Sequence, residues 1–177
     1  DDPTLYVINK MQTVLEELNV KVERFMLYEL KNTITTLPQT LKEADGIILA
    51  TTVEWYGIGG FMQQFLDACW LYADKEKLSK IYMSPIVMST TYWEREGKLN
   101  LSTAWEILGG RPCSGICGYI ADAAALEAAY EGVDEDLAAM SEEASKTPPA
   151  AKPVPDVPKE IVQGYPCLLY TSPSPRD

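Results

Sequence analysis

Between Val20 and Ile120, apolar runs of strand length alternate with segments whose apolar residues recur every three or four positions. That alternation admits few folds. Strands are expected at Val20–Leu27, Asp45–Val53, Lys80–Thr90 and Pro112–Ile120, and helices at Leu37–Ala44, Gly60–Tyr72 and Asn100–Gly110. A further helix precedes them: Asp2 serves as N-cap, Pro3 takes the first helical position, and Leu5, Val7, Ile8, Met11, Val14, Leu15 and Leu18 follow at helical spacing. Strands alternating with helices predict an α/β domain with a parallel sheet covered on both faces. The segment Asp134–Ser145 reads as a final helix. From Lys146 the chain becomes rich in proline and alanine, which suits a semi-extended linker over 146–166.

Charge and residue usage narrow the functions. The formal net charge is −11 with no basic cluster, which argues against a nucleic-acid partner. No apolar run approaches the roughly 18 residues of a membrane span, and no signal-type segment opens the chain, so a cytoplasmic setting away from membranes is expected. With no histidine at all, imidazole bases, His-based triads and His-containing zinc sites are excluded. No side chain is assigned as a catalytic residue or a metal ligand, and the chemistry is expected to come from a cofactor. Cys69, Cys113, Cys117 and Cys167 form no C-x-x-C pair. Cys113 and Cys117, four apart in one expected strand, would lie about 13 Å apart, too far for a disulfide; buried free thiols are expected.

Ligands of parallel sheets bind at the carboxyl ends of the strands. Two loops there carry aromatic pairs: Thr51-Thr52-Val53-Glu54-Trp55-Tyr56-Gly57 after the second strand, and Ser89-Thr90-Thr91-Tyr92-Trp93 after the third. Such pairs either hold a planar ligand by stacking or cover loop ends and a subunit interface. The run Glu94-Arg95-Glu96 reads as a solvated loop tip. Phe61, Phe65, Leu66, Cys69, Trp70 and Tyr72 give the helix Gly60–Tyr72 more apolar surface than one sheet contact needs, which suits a thick core or a homodimer seam.

The stretch Ala44–Asp67, ADGIILATTVEWYGIGGFMQQFLD, resembles the flavodoxin-like NAD(P)H-dependent FMN oxidoreductases. Asp45, Gly46, Val53, Trp55, Tyr56, Gly57, Gly60, Phe65, Leu66 and Asp67 carry the likeness. TLYVINKMQTVLEEL is similar to the family's first helix, and WEILGGRPCSGICGYI to its fourth helix and fifth strand. The resemblance implies a three-layer, doubly wound parallel sheet over residues 1–145. It also implies that the backbone of the Trp55-Tyr56-Gly57 loop cups a flavin. Thr4 would contact the FMN phosphate at the helix N-terminus, Thr51, Thr52, Val53 and Glu54 would complete one side of the ring, and Ser89, Thr90, Thr91 and Tyr92 would approach another. The family's first strand and phosphate loop, which precede the first helix, are expected to be missing. That strand would lie between Val20–Leu27 and Asp45–Val53, so both would carry an unpaired row of backbone groups. The last residues, Cys167–Asp177, resemble the translation of a transposase-type sequencing adapter and are expected to lie outside the fold.

Three functions fit this reading. The resemblance implies an enzyme that passes electrons from NAD(P)H through bound FMN to a quinone, a free flavin or another small acceptor. A one-electron carrier flavodoxin is the second, suited to an acidic chain with aromatics in both loops. A flavin-free interaction module on the same scaffold is the third. Glu54 brings a carboxylate beside the ring position, where it opposes negative charge.

Overall fold

The computed structural model describes residues 2–121, 124–125 and 167–172. Its elements are α1 (Pro3–Glu17), β1 (Val22–Met26), a 3-10 helix (Ile34–Glu43), β2 (Gly46–Thr52), α2 (Gly60–Tyr72), α3 (Lys75–Leu78), β3 (Tyr82–Ser89), α4 (Glu94–Ile107), β4 (Arg111–Pro112), β5 (Ile116–Tyr119) and β6 (Cys167–Ser172). The expected helix at Asp134–Ser145 and the linker 146–166 lie outside the described residues.

The fold is α/β with a parallel sheet. Strand order runs β1-β6-β2-β3, with β4 and β5 both pairing the far side of β3, and every pairing is parallel. Alternation along β2 and β3 sorts their side chains between two cores. Ile48, Ala50, Ile86 and Met88 meet Val7 and Ile8 of α1. Ile47, Leu49, Met83 and Val87 meet Phe65 and Met62 of α2, Leu101 and Trp105 of α4, and Leu37 and Leu41 of the 3-10 helix. Helices therefore cover both faces, and no described helix is long and apolar enough to cross a membrane.

The central position between β1 and β2 is filled, which corrects the expectation of two unpaired rows. β6 pairs β1 from Val22↔Cys167 to Met26↔Thr171, and β2 from Gly46↔Cys167 to Thr51↔Ser172. Cys167–Ser172, expected outside the fold as part of the adapter-like tail, thus supplies the sheet's middle strand. Two facing rows of unpaired amides attract any segment of strand propensity, because backbone pairing reads no side chains. Cys-Leu-Leu-Tyr-Thr-Ser, rich in apolar, aromatic and β-branched residues, is such a segment.

Other boundaries differ for local reasons. The short helix expected at Leu37–Ala44 is a ten-residue 3-10 helix. Pro38 removes one donor within it, and Thr33, Thr36 and Thr40 donate their hydroxyls to carbonyls three residues back, favouring the tighter winding. α4 begins at Glu94, so Glu94, Arg95 and Glu96 form its first turn and not a loop tip; acidic side chains there complement the helix dipole. The strand expected at Pro112–Ile120 is broken in two. Met83 pairs with Pro112 and Ile86 with Ile116, so three residues face Ser84-Pro85, and Pro85 has no N–H for the ladder. Cys113 is consequently exposed, not buried, and Cys117 is half-buried.

Candidate functional site at the carboxyl end of β2 and β3

The last two residues of β2 point to opposite faces, and each anchors a different part of the site. Thr51, fully buried, donates its hydroxyl to the Ile58 carbonyl at 2.9 Å, tying the return of the following loop to the sheet. Thr52 faces α1, where its hydroxyl donates to Asp2 Oδ1 at 2.7 Å and lies 2.7 Å from Thr4 Oγ1. A hydroxyl has one proton, so Thr4 is the donor in the second contact. The result is a relay from Thr4 through Thr52 to the Asp2 carboxylate, which also accepts the Thr4 N–H at 2.8 Å as the N-cap of α1.

Beyond β2, Val53 prolongs the ladder by donating its N–H to the Met88 carbonyl at 2.8 Å. Glu54 and Gly57 then exchange hydrogen bonds of 3.0 and 2.8 Å, closing a two-residue hairpin around Trp55 and Tyr56. Both central residues have left-handed backbones, φ 49° and 56°. Such turns are normally built from Asn-Gly or Asp-Gly, because side chains with bulk resist positive φ. The two central N–H groups take no part in the turn's own pair of hydrogen bonds. Trp55 is 96% exposed, so burial does not offset its strain. The chain then enters α2 through Gly59, whose φ of 82° suits glycine.

The loop after β3 folds around one buried hydroxyl. Ser89 Oγ accepts the Thr91 N–H and donates to the Tyr92 carbonyl, both at 3.0 Å. This brings the Tyr92 hydroxyl to the Tyr56 hydroxyl, to which it donates at 2.6 Å, with ring centroids 5.2 Å apart and planes at 46°. That hydrogen bond, with lesser contributions from burial and the Tyr56 charge, raises the Tyr92 pKa. Trp93 follows at φ 84° and opens α4 without a side-chain cap.

The expected residues thus gather in three places. Thr4 joins Thr52; Trp55, Tyr56 and Gly57 form the hairpin with Glu54; Ser89, Thr91 and Tyr92 form the second loop, with Thr90 exposed between them. Asp2 was legible as a helix cap, but its bond to Thr52, fifty residues away, had no sequence signal. None of these residues lines the groove of about 530 Å³ between α2 and α4, whose walls include Leu66, Asp67, Trp70, Leu99, Thr103 and Ile107.

The residues fit the two ends of FMN unequally. The paired tyrosines and the exposed Trp55 suit a planar ring. The N-terminus of α1 does not suit a phosphate: Thr4 is fully buried and bonded to Thr52, and a carboxylate already occupies the cap.

No protein-family model matches the chain, and no curated protein matches it. Among solved structures, that of Trp repressor binding protein from Bacillus subtilis aligns with a TM-score of 0.48 at 14% identity, over 56% of this chain and 66% of that one.

Proposed function

We propose that the loops after β2 and β3 hold the ring of a flavin, and that the chain is a flavodoxin-like, doubly wound oxidoreductase passing electrons from NAD(P)H to a quinone, flavin or other small acceptor. One observation carries this reading: the hairpin tip spends two bulky aromatic residues where Asn-Gly would be more stable, and leaves Trp55 in solvent. Backbone strain of about 1–3 kcal/mol per residue persists where function requires it. A bound flavin would supply hydride acceptance and electron release. Tyr56 and Tyr92, locked by their shared hydrogen bond, offer a preorganised aromatic wall. Glu54 places a carboxylate next to the hairpin, which opposes negative charge on a reduced ring.

The test is to titrate the full chain with flavin, follow the visible spectrum, then add NADH or NADPH without oxygen. Bleaching by either nucleotide supports the oxidoreductase. Bound flavin that resists both supports an electron carrier, and flavin binding unchanged in Trp55→Ala/Tyr56→Ala removes the hairpin from the site.

A flavin-free interaction module is favoured by a different observation. The hydroxyls of Thr4, Thr51, Thr52 and Ser89 are all committed to protein partners, and Trp55 projects from the surface as an anchor for another protein would. The homodimer seam finds support in the exposed Trp70, Leu99 and Ile107 along the α2–α4 groove.

A further inference from the structure

We infer that Asp2 bars anionic groups from the N-terminus of α1, so that the ligand of the aromatic loops is a flavin ring without a phosphate, of the riboflavin kind. The inference rests on the ring-binding reading above and narrows it.

A helix of fifteen residues ordinarily offers an anion its free first-turn N–H groups and the positive end of its dipole. In α1 most of those resources are already spent. Pro3 has no N–H and the Thr4 N–H goes to the Asp2 carboxylate at 2.8 Å, so Leu5 carries the one first-turn N–H that the Asp2 cap does not engage. The nearest hydroxyls are spent as well: Thr4 Oγ1 donates to Thr52, and Thr52 Oγ1 donates to the same Asp2 oxygen at 2.7 Å. The carboxylate therefore receives a backbone and a side-chain donor, as a bound anion would.

A phosphate brought to this position would meet a fixed negative charge at close range, with Thr4 buried and no basic residue among Pro3, Thr4, Leu5 and Tyr6 to offset the repulsion. Displacing Asp2 would strip α1 of its cap and leave the Thr52 hydroxyl without its acceptor. A neutral ring carrying an uncharged ribityl chain faces neither cost. The same loops then discriminate by what they exclude.

The closing experiment measures binding of riboflavin and of FMN to the full chain by quenching of flavin fluorescence, for the parent and for Asp2→Asn. Asparagine caps helices as well as aspartate does, so the variant removes charge and keeps the cap; matched circular-dichroism melts verify this. The parent is expected to bind riboflavin at least tenfold tighter than FMN. Asp2→Asn should bring FMN to within about threefold of riboflavin without changing riboflavin affinity. FMN binding as tightly as riboflavin in the parent would overturn the inference and leave the ring site standing. A riboflavin preference that Asp2→Asn does not reduce would overturn the role of Asp2. Failure of both flavins to bind would overturn the ring site itself, and the inference with it.

Discussion

The Tyr92 hydroxyl donates to the Tyr56 hydroxyl at 2.6 Å, joining the loop after β3 to the strained hairpin after β2. Ionising Tyr92 would sacrifice that bond, so its pKa is raised. In Tyr56→Phe the acceptor is gone, and the Tyr92 pKa should fall toward the ordinary phenol value near 10. An ultraviolet titration at high pH, comparing the parent with Tyr56→Phe and Tyr92→Phe, separates the late-titrating group; a late-titrating group that persists in Tyr56→Phe and is lost in Tyr92→Phe would mean the loops are not joined in solution.

The relay from Thr4 through Thr52 to Asp2 should be worth more than its single bonds. Thr52→Val removes the acceptor of a buried hydroxyl and one donor to the Asp2 carboxylate. The loss is expected at about 1–3 kcal/mol, since an orphaned buried polar group loses its hydration without replacement. Thr4→Val removes only the end of the relay and should cost less. Urea unfolding of the two variants gives the order, and equal losses would contradict the donor assignment.

Gly97 lies inside α4, where alanine ordinarily gains about 1 kcal/mol over glycine. Here a Cβ would come to 2.9 Å from Val87 Cγ1 and 3.3 Å from the Trp93 ring. Val87 is buried and β-branched, so it has little room to yield. Gly97→Ala should therefore destabilise by about 1–3 kcal/mol through overpacking. A thermal melt that rises would show that α4 can move away from β3.

Burial pushes the Cys69 thiol up to about 12, against a smaller opposing effect of the Lys75 charge. The neutral thiol is thus favoured in the folded protein, while an unfolded chain ionises near 8.5. The stabilisation is complete below about pH 8.5 and is lost progressively as pH rises toward 12. Cys69→Ala should flatten this part of the stability–pH curve despite its packing loss. Exposed Cys113 should react with a thiol reagent in the native state while Cys69 stays protected until unfolding.

Much of the architecture was legible because periodicity reports burial directly. α2 runs from Gly60 to Tyr72 as its apolar spacing requires, and β2 falls one residue inside each expected end. The misreadings have particular causes. Nothing local distinguishes 3-10 from α winding around Pro38 until the threonine hydroxyls find their carbonyls. The break between β4 and β5 is imposed by Pro85 on a neighbouring strand, and Gly115 packs so tightly on the Pro85 carbonyl that a side chain there would overlap it. At the site, the aromatic loops could be found from composition, whereas the closure of the α1 N-terminus depended on Thr52 and Asp2 meeting in space.

The position of β6 also bears on how the sheet assembles. Its first residue, Cys167, registers against Val22 and Gly46, so the middle of the sheet is knit by contacts spanning about 145 and 121 residues. Loop closure of that length must come before any of its hydrogen bonds form, and folding rates fall as such distant pairings accumulate. The β2-β3 unit with α2 and α4 is local enough to condense early, while β1 can join only through the strand that arrives last. Sheet completion is therefore expected to be the slow step of folding, and amide exchange should be fastest in β1, whose described ladder partner is β6.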